Sequence, residues 1–116
     1  MKNYFLFFCI IALFSACSSR PSESQVSRAV SSCIGKGEQT LRVNSITVTY
    51  DKETQSNAVK FIYAWFEGEV EFTSNSDKYK SGEKYNIMGE VQFAKDGSND
   101  WTPFGDCSFS KMDKTN

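Results

Sequence analysis

Carboxylates are the side chains of this 116-residue chain that could do acid–base chemistry, because the sequence contains no histidine. Without histidine, the Ser–His and Cys–His nucleophilic arrangements cannot form. Glu67, Glu69 and Glu71 alternate along one segment, and alternate residues of a strand lie about 7 Å apart on one face. That spacing suits the paired carboxylates of glycoside hydrolysis, and it equally describes a solvated strand face. We favour the solvated face, and we expect no catalytic residue, no cofactor and no metal site.

Three aromatic residues precede these carboxylates on the same strand face: Phe61, Tyr63 and Trp65. If that face stays open, they form an exposed apolar patch of the kind that binds a protein partner. The alternative is that the curl of the strand, or the polar connection over residues 73–84 with its Tyr79, buries them in a second small core. These three residues are therefore a candidate partner-binding site if the face is open, and part of a second core if it is covered.

Two of the four cysteines are available to form a disulfide in the folded domain. Cys9 and Cys17 belong to the N-terminal segment, which leaves Cys33 and Cys107. An even pair predicts one bridge if the domain lies in an oxidising compartment, and two buried free thiols are the alternative. A metal site made of cysteine needs more than two ligands. On a chain-entropy model, a bridge that closes the loop from Cys33 to Cys107 contributes about 4 kcal/mol to stability.

An amphipathic helix is predicted shortly after residue 22. Its apolar residues recur at helical spacing and form one stripe: Val26, Ala29, Val30, Cys33 and Ile34. Ser22 and Gln25 have the spacing of a capping box, and Gly35 and Gly37 provide a stop signal. A helix of about eleven residues therefore turns Cys33 toward the core.

The rest of the chain predicts antiparallel strands, which we place over residues 41–50, 58–72 and 85–93, with a last strand somewhere within residues 101–110. In the first of them the apolar alternation changes register at Asn44-Ser45, which predicts a bulge. In the last, Pro103 indicates an edge position or a late start, because proline cannot donate to a ladder.

The long second strand has two unlike faces. Its even-numbered positions form a continuous apolar face: Ile62, Ala64, Phe66, Gly68, Val70 and Phe72. One helix covers only one face of a sheet, so we expect the helix to lie on this side. Ala64 and Gly68 are small enough to let the helix approach closely. The odd-numbered face is then open or closed by something else.

One helix followed by four antiparallel strands, with the helix across one face of a curled sheet, resembles the cystatin-like class of α+β folds. The resemblance is one of element order over residues 25–110, with no sequence motif behind it. A small open barrel with the helix as a plug is the structural alternative. We predict a single domain over residues 25–110, held by one disulfide, and a polar tail over residues 111–116.

The N-terminus has the features of an export signal. Lys2 precedes an unbroken apolar run over residues 4–14. A run of about eleven residues is typical of the core of a signal peptide, whereas a transmembrane helix needs about 20. After Cys17 the chain turns abruptly polar, so this segment is too short to serve as a permanent membrane span.

The residues that end this segment, Phe14-Ser15-Ala16-Cys17, resemble the bacterial lipobox, with phenylalanine where that family usually has leucine. The resemblance implies a signal peptide over residues 1–16, diacylglycerol on Cys17 and acylation of the new N-terminus. Several acyl chains together hold a protein stably at a membrane. Ser18 after the cysteine resembles the outer-membrane sorting signal of Gram-negative hosts, which predicts a protein that faces the periplasm. Residues 17–24 are then the lipidated cysteine and a flexible tether.

Charge and composition restrict the function. The full chain has 13 basic and 14 acidic residues, and loss of Lys2 with the signal leaves 12 and 14. No basic stripe supports nucleic-acid binding. Our first hypothesis is a membrane-anchored, non-enzymatic protein-binding module of the envelope, of the inhibitor, immunity or assembly-accessory type. The alternative is a carrier of a small apolar ligand in a pocket of the curled sheet, and a carboxylate-based hydrolase is a remote alternative.

Overall fold

A computed structural model describes residues 20–97 and 99–116 of the chain. The predicted signal peptide and Cys17 lie outside the described residues. The described chain folds into one helix and six strands. They are α1 (Glu23–Gly35), β1 (Leu41–Tyr50), β2 (Thr54–Ser56), β3 (Val59–Phe72), β4 (Lys84–Asp96), β5 (Thr102–Pro103) and β6 (Ser108–Lys114).

Helix α1 begins with the predicted capping box. The Ser22 hydroxyl accepts from the backbone N–H of Gln25 at 3.2 Å, and the Gln25 side chain accepts from the Ser22 N–H at 2.8 Å. The helix ends at a left-handed cap, where Lys36 has a φ of 50°. Val26, Ala29 and Val30 of its inward stripe are buried, while Cys33 and Ile34 are half-buried. The caps satisfy end groups that have no partner inside the helix.

The strands form one antiparallel sheet in the order β1-β3-β4-β5, with β2 also paired to β3 and β6 also paired to β4. Two shorter strands therefore flank each central strand, and we call each such pair an outer row. β1 and β2 pair with successive stretches of β3, and β5 and β6 pair with successive stretches of β4. The predicted number of four strands was wrong, since β2 and β5 were missed. β2 contains three exposed polar residues and β5 contains only two residues, so neither has the apolar alternation by which a strand is recognised.

The last strand lies later in the chain than predicted. β6 extends into residues 111–116, where we predicted a polar tail, and Lys111 pairs with Met88 while Asp113 pairs with Asn86. The segment is mostly polar and exposed, so its pairing depends on backbone groups that hydropathy does not report. Pro103 lies in β5 at the end of the strand order, which confirms its predicted edge position.

Both outer rows carry a bulge beside a glycine of a central strand. The register of β1 against β3 shifts between Val43 and Ser45, which confirms the predicted bulge, and that of β6 against β4 shifts at Gly89. A Cβ on Gly68 would lie 2.1 Å from the Ser45 carbonyl oxygen, and one on Gly89 would lie 2.2 Å from that of Ser108. The space beside Gly68 is therefore filled by the backbone of β1, and not by the helix as predicted.

The core lies between α1 and one side of the sheet, which we call the covered face. As predicted, it holds the even-numbered side of β3. The buried residues are Val26, Ala29 and Val30 of α1, Ile62, Ala64, Phe66, Val70 and Phe72 of β3, and Ile87, Val91 and Phe93 of β4. Trp101 joins them at 4% exposure. The predicted α+β class, with one helix on an antiparallel sheet, is confirmed.

A disulfide joins the helix to the segment before β6. Cys33 and Cys107 are bonded, with their Cα atoms 5.9 Å apart and 74 positions between them in sequence. The bridge confirms the prediction and excludes the alternative of two free thiols. It ties the last turn of α1 to the outer row formed by β5 and β6.

Ordered structure starts within the segment that we predicted to be a tether. Pro21 is fully buried, and its carbonyl oxygen accepts a short hydrogen bond from the Tyr50 hydroxyl. The Arg20 guanidinium lies 4.7 Å from the centre of the Tyr50 ring, within the range of a cation–π contact. Of the predicted tether over residues 17–24, the part from residue 20 onward is therefore fixed to the end of β1.

Candidate functional site

The side of the sheet opposite α1 carries the predicted aromatic residues, and we call it the open face. Tyr63 is 41% exposed and Trp65 is 45% exposed, which are high values for aromatic residues in a central strand of a sheet. Phe61 is half-buried. Residues 73–84 do not cover them, because the Tyr79 ring stacks on Phe72 of the covered face at 4.1 Å between centroids. The open face therefore displays two of the three predicted residues with more than 40% of their surface exposed, while the third is half-buried.

Phe104 extends the aromatic group and was missed in the sequence. Its ring meets that of Phe61 edge to face, with the centroids 5.4 Å apart, and Phe104 is itself 55% exposed. The Phe104 N–H donates to the Gln92 carbonyl at 2.8 Å, which continues the pairing of β5 with β4. Pro103 was the residue that could have indicated this position. It predicts an edge strand, and the residue that follows it, Phe104, then lies beside β4.

Trp65 is held in a defined orientation by Asp51, a second residue that the sequence did not indicate. The indole N–H of Trp65 donates to the Asp51 carboxylate at 2.8 Å. The backbone N–H of Asp51 in turn donates to the carbonyl of Tyr63 at 3.0 Å. The ring is thus oriented by a hydrogen bond from the chain that follows β1, although nearly half of its surface is exposed.

The acidic end of the open face is structured by Asn44, the bulge residue of β1. The Asn44 side-chain amide donates to Glu69 at 2.9 Å and to Glu71 at 3.2 Å. Arg42 forms an ion pair with Glu71 at 3.3 Å. The Asn44 hydrogen bond, followed by the Arg42 guanidinium, lowers the pKa of Glu71 below its ordinary value. The general acid of a glycosidase needs the opposite shift, so Glu71 is not suited to that role.

Two other carboxylates flank Trp65 without partners of their own. Glu90 is directly opposite Trp65 on β4, and Glu67 is the next residue on the same face of β3. In the part of the chain that the structure describes, neither carboxylate has a hydrogen bond or an ion pair within 4.0 Å. Met88, which pairs with Glu67, is 38% exposed and adds an apolar surface beside them.

A cleft of about 590 Å³ lies on the other side of the sheet, where α1 ends. Its apolar lining comes from Ile34, Tyr79, Phe109 and Met112 together with the disulfide. The Tyr79 hydroxyl lies 3.8 Å from the sulfur of Met112. This cleft belongs to the covered face, so Phe61, Tyr63 and Trp65 do not line it.

Within residues 20–97 and 99–116, no three cysteine or acidic side chains are grouped so that they could hold a metal ion. Over the same residues, no helix combines the length and the hydropathy needed to cross a bilayer. The chain matches no protein-family model, no curated protein and no solved structure. The site is therefore interpreted from its own geometry.

Proposed function

We propose that this chain is a lipid-anchored protein of the bacterial cell envelope whose open face binds another protein. It acts without catalysis, as an inhibitor, an immunity factor or an assembly accessory. The observation that carries the proposal is the exposure of Tyr63 and Trp65, next to each other on the face that α1 leaves uncovered. Aromatic residues of this kind dominate the energetics of protein interfaces.

The preorganisation of the patch supports a binding role over a chance exposure. Trp65 is oriented by Asp51, and Phe61 is braced by Phe104. Side chains that are already held in place lose less conformational entropy when a partner covers them. The patch also lies on a paired sheet, where the backbone is rigid, and not on a loop.

The anchor is the second part of the proposal. The acylated Cys17 would lie three positions before Arg20, a span of at most about 11 Å of extended chain. Because Arg20 and Pro21 pack on Tyr50, the domain would stay close to the membrane, on the periplasmic side of the outer membrane in a Gram-negative host. The Cys17→Ala variant should lose the anchor and appear in the soluble fraction, without incorporation of labelled palmitate. Unchanged membrane fractionation and labelling would sink this part.

The binding role is tested by photo-crosslinking in the native membrane. A photoreactive residue placed at Tyr63 should capture one specific protein, and Trp65→Ala should abolish that capture at equal protein level. The matched control places the same photoreactive residue at Arg28, an exposed position on the outer side of α1. Capture that is equal from both positions, or that persists in Trp65→Ala, overturns the open face as the binding surface.

A carrier of small apolar ligands is the second candidate, and the cleft at the end of α1 is the observation that favours it. Its volume of about 590 Å³ is within the size of small-molecule sites, which run from about 300 to 1,000 Å³. It lies where α1 ends, away from Phe61, Tyr63 and Trp65. Enrichment of one lipid or other apolar molecule with the purified wild type, and its loss on Met112→Lys, would favour the carrier.

Two further interpretations stay proposals. A carboxylate-based hydrolase using Glu67 or Glu69 is the remote one, and unchanged hydrolysis of envelope glycans in both Glu67→Gln and Glu69→Gln would exclude it. The cystatin-like resemblance concerns the order of a helix followed by antiparallel strands. A fold comparison based on an experimentally determined structure of the domain would test that relationship.

A further inference from the structure

The charged side chains that hydrogen bonding and strand register place beside Trp65 are acidic. Three carboxylates surround Trp65: Asp51 on its indole N–H, Glu90 directly opposite on β4, and Glu67 two residues along β3. Directly opposite residues of an antiparallel pair have Cβ atoms about 5 Å apart, and alternate residues of a strand lie about 7 Å apart. A group lying against Trp65 would therefore be within reach of Glu67 and Glu90 together.

The basic side chains that pair within the open face are not direct neighbours of Trp65, and Lys111 lines one groove with Glu67 and Met88. Arg42 is ion-paired with Glu71, and Lys84 is opposite Glu71 at the far end of β3. Lys111 lies across from Met88, with its Nζ 3.9 Å from Asp113. The carboxylates of Glu67 and Glu90 are therefore not neutralised by an ion pair in the described part of the chain. A partner that covers Trp65 together with Glu67 and Glu90 must supply positive charge or hydrogen-bond donors to them, because burying an uncompensated carboxylate is costly.

We propose that Trp65, Glu67 and Glu90 form a cation site that takes a lysine or arginine side chain from an extended basic segment of the partner. This inference rests on the proposed function, since it names the chemistry of the partner that the open face binds. The cation would lie on the indole ring, where the ring quadrupole attracts it, and the two carboxylates would complete the site. Tyr63, Phe61 and Phe104 would contact the apolar stem and the residues beside it.

The intrinsic fluorescence of the protein provides the assay, because the full chain has only two tryptophans. Trp65 is 45% exposed and Trp101 is 4% exposed, so a ligand on the open face changes the signal of Trp65. The full chain in a nonionic detergent is titrated with an eight-residue Gly/Lys peptide. The matched probe is the same peptide with acetylated lysines, which keeps the length and removes the charge. Trp65→Phe should abolish the fluorescence change.

We expect saturable binding of the lysine peptide and at least tenfold weaker binding of the acetylated peptide. The double variant E67Q/E90Q should weaken binding of the lysine peptide by roughly threefold to thirtyfold, the range for two exposed ion pairs. The control is E38Q/D77N, which removes two exposed carboxylates that make no ion pair and lie away from the open face. It should change the affinity less than twofold. Equal weakening by both double variants, equal affinity for both peptides, or no binding of the lysine peptide overturns the cation site.

Crosslinking from Tyr63 separates this inference from the proposed function. If capture is lost in Trp65→Ala but kept in E67Q/E90Q, the open face binds a protein and the cation site is overturned. If the peptide titrations follow the expected pattern but the membrane shows no specific capture, the cation site stands and the proposed protein-binding role fails. Loss of capture in E67Q/E90Q and not in E38Q/D77N supports both.

Discussion

Trp65 and Phe66 are neighbours in β3 and have opposite fates: Trp65 is 45% exposed on the open face, and Phe66 is 3% exposed on the covered face. On the covered face, apolar side chains from three elements meet and leave little surface accessible. On the open face, the aromatic residues are oriented by Asp51 and Phe104 but are not enclosed. One strand of this protein therefore stabilises the fold with one side and displays a rigid contact surface with the other.

The largest expected difference is between substitutions of these two neighbours. Phe66→Ala should lower the free energy of unfolding by about 3–5 kcal/mol, because it removes a buried ring and leaves a cavity. Trp65→Ala should lower it by less than about 1 kcal/mol, as is usual for surface positions. Urea denaturation of both variants measures this difference. Similar losses in the two variants would show that the open face is part of the stabilising core.

Loss of the disulfide should have the next largest effect on the free energy of unfolding, and this bridge lies on the covered side of the sheet. Replacing Cys33 and Cys107 together by alanine should cost about 4 kcal/mol, because the unfolded chain loses a long closed loop. The same shift in denaturation midpoint should follow reduction of the wild type with dithiothreitol. Reductant should leave the midpoint of the double variant unchanged. A wild type that is equally stable with and without reductant would contradict the structural role of the bridge.

The third prediction concerns Gly89, a buried residue on the covered side of β4, at the bulge between β4 and β6. Gly89→Ala places a methyl group 2.2 Å from the Ser108 carbonyl oxygen, so the outer row must move. We expect a cost of about 1–3 kcal/mol, the range for overpacking. The control is Gln92→Ala, on the open side of the same strand, which should change stability by less than about 0.5 kcal/mol. An unchanged denaturation midpoint in Gly89→Ala would indicate that β6 is loosely attached to β4.

The smallest effect is the pH dependence of the acidic end of the open face. Since the pKa of Glu71 is lower in the folded protein, the hydrogen bond from Asn44 and the ion pair with Arg42 stabilise the fold above the ordinary pKa of 4.5. That contribution is lost as the pH falls through the folded pKa. Thermal denaturation between pH 3 and pH 7 should show a shallower loss on the acid side in Glu71→Gln and in Asn44→Ala than in the wild type. Identical slopes in all three proteins would contradict the assignment.

Much of the covered face could be predicted from the sequence, since its signals are local and repeat. The helical spacing of the apolar residues and the Ser22–Gln25 capping box both recur in α1. The alternation over β3 and β4 gave the correct inward sides, and the change of register at Asn44 gave the bulge. Each of these features depends on residues within a few positions of one another, which a periodicity analysis can detect.

The remaining features depend on contacts between distant residues. The two short strands and the second half of β6 pair through backbone groups, so polar sequences hid them. Gly68 looked like space for a helix, but the bulged backbone of β1 fills it. At the candidate site, Asp51 and Phe104 were missed because neither belongs to β3. Asp51 follows β1 and Phe104 follows β5, and each contacts an aromatic residue of β3 only in the folded protein.

The sequence by itself determined the class of fold, the side of β3 that is buried and the pair of cysteines that is bonded, because hydrophobic spacing and cysteine number restrict these strongly. Only the tertiary structure decided that Tyr63 and Trp65 are exposed, since the alternation of β3 is the same whether its second face is open or covered. It also decided which carboxylates have hydrogen-bond partners. Glu69 and Glu71 receive the Asn44 amide through the register of β1, while Glu67 and Glu90 are left beside Trp65 by the register of β4.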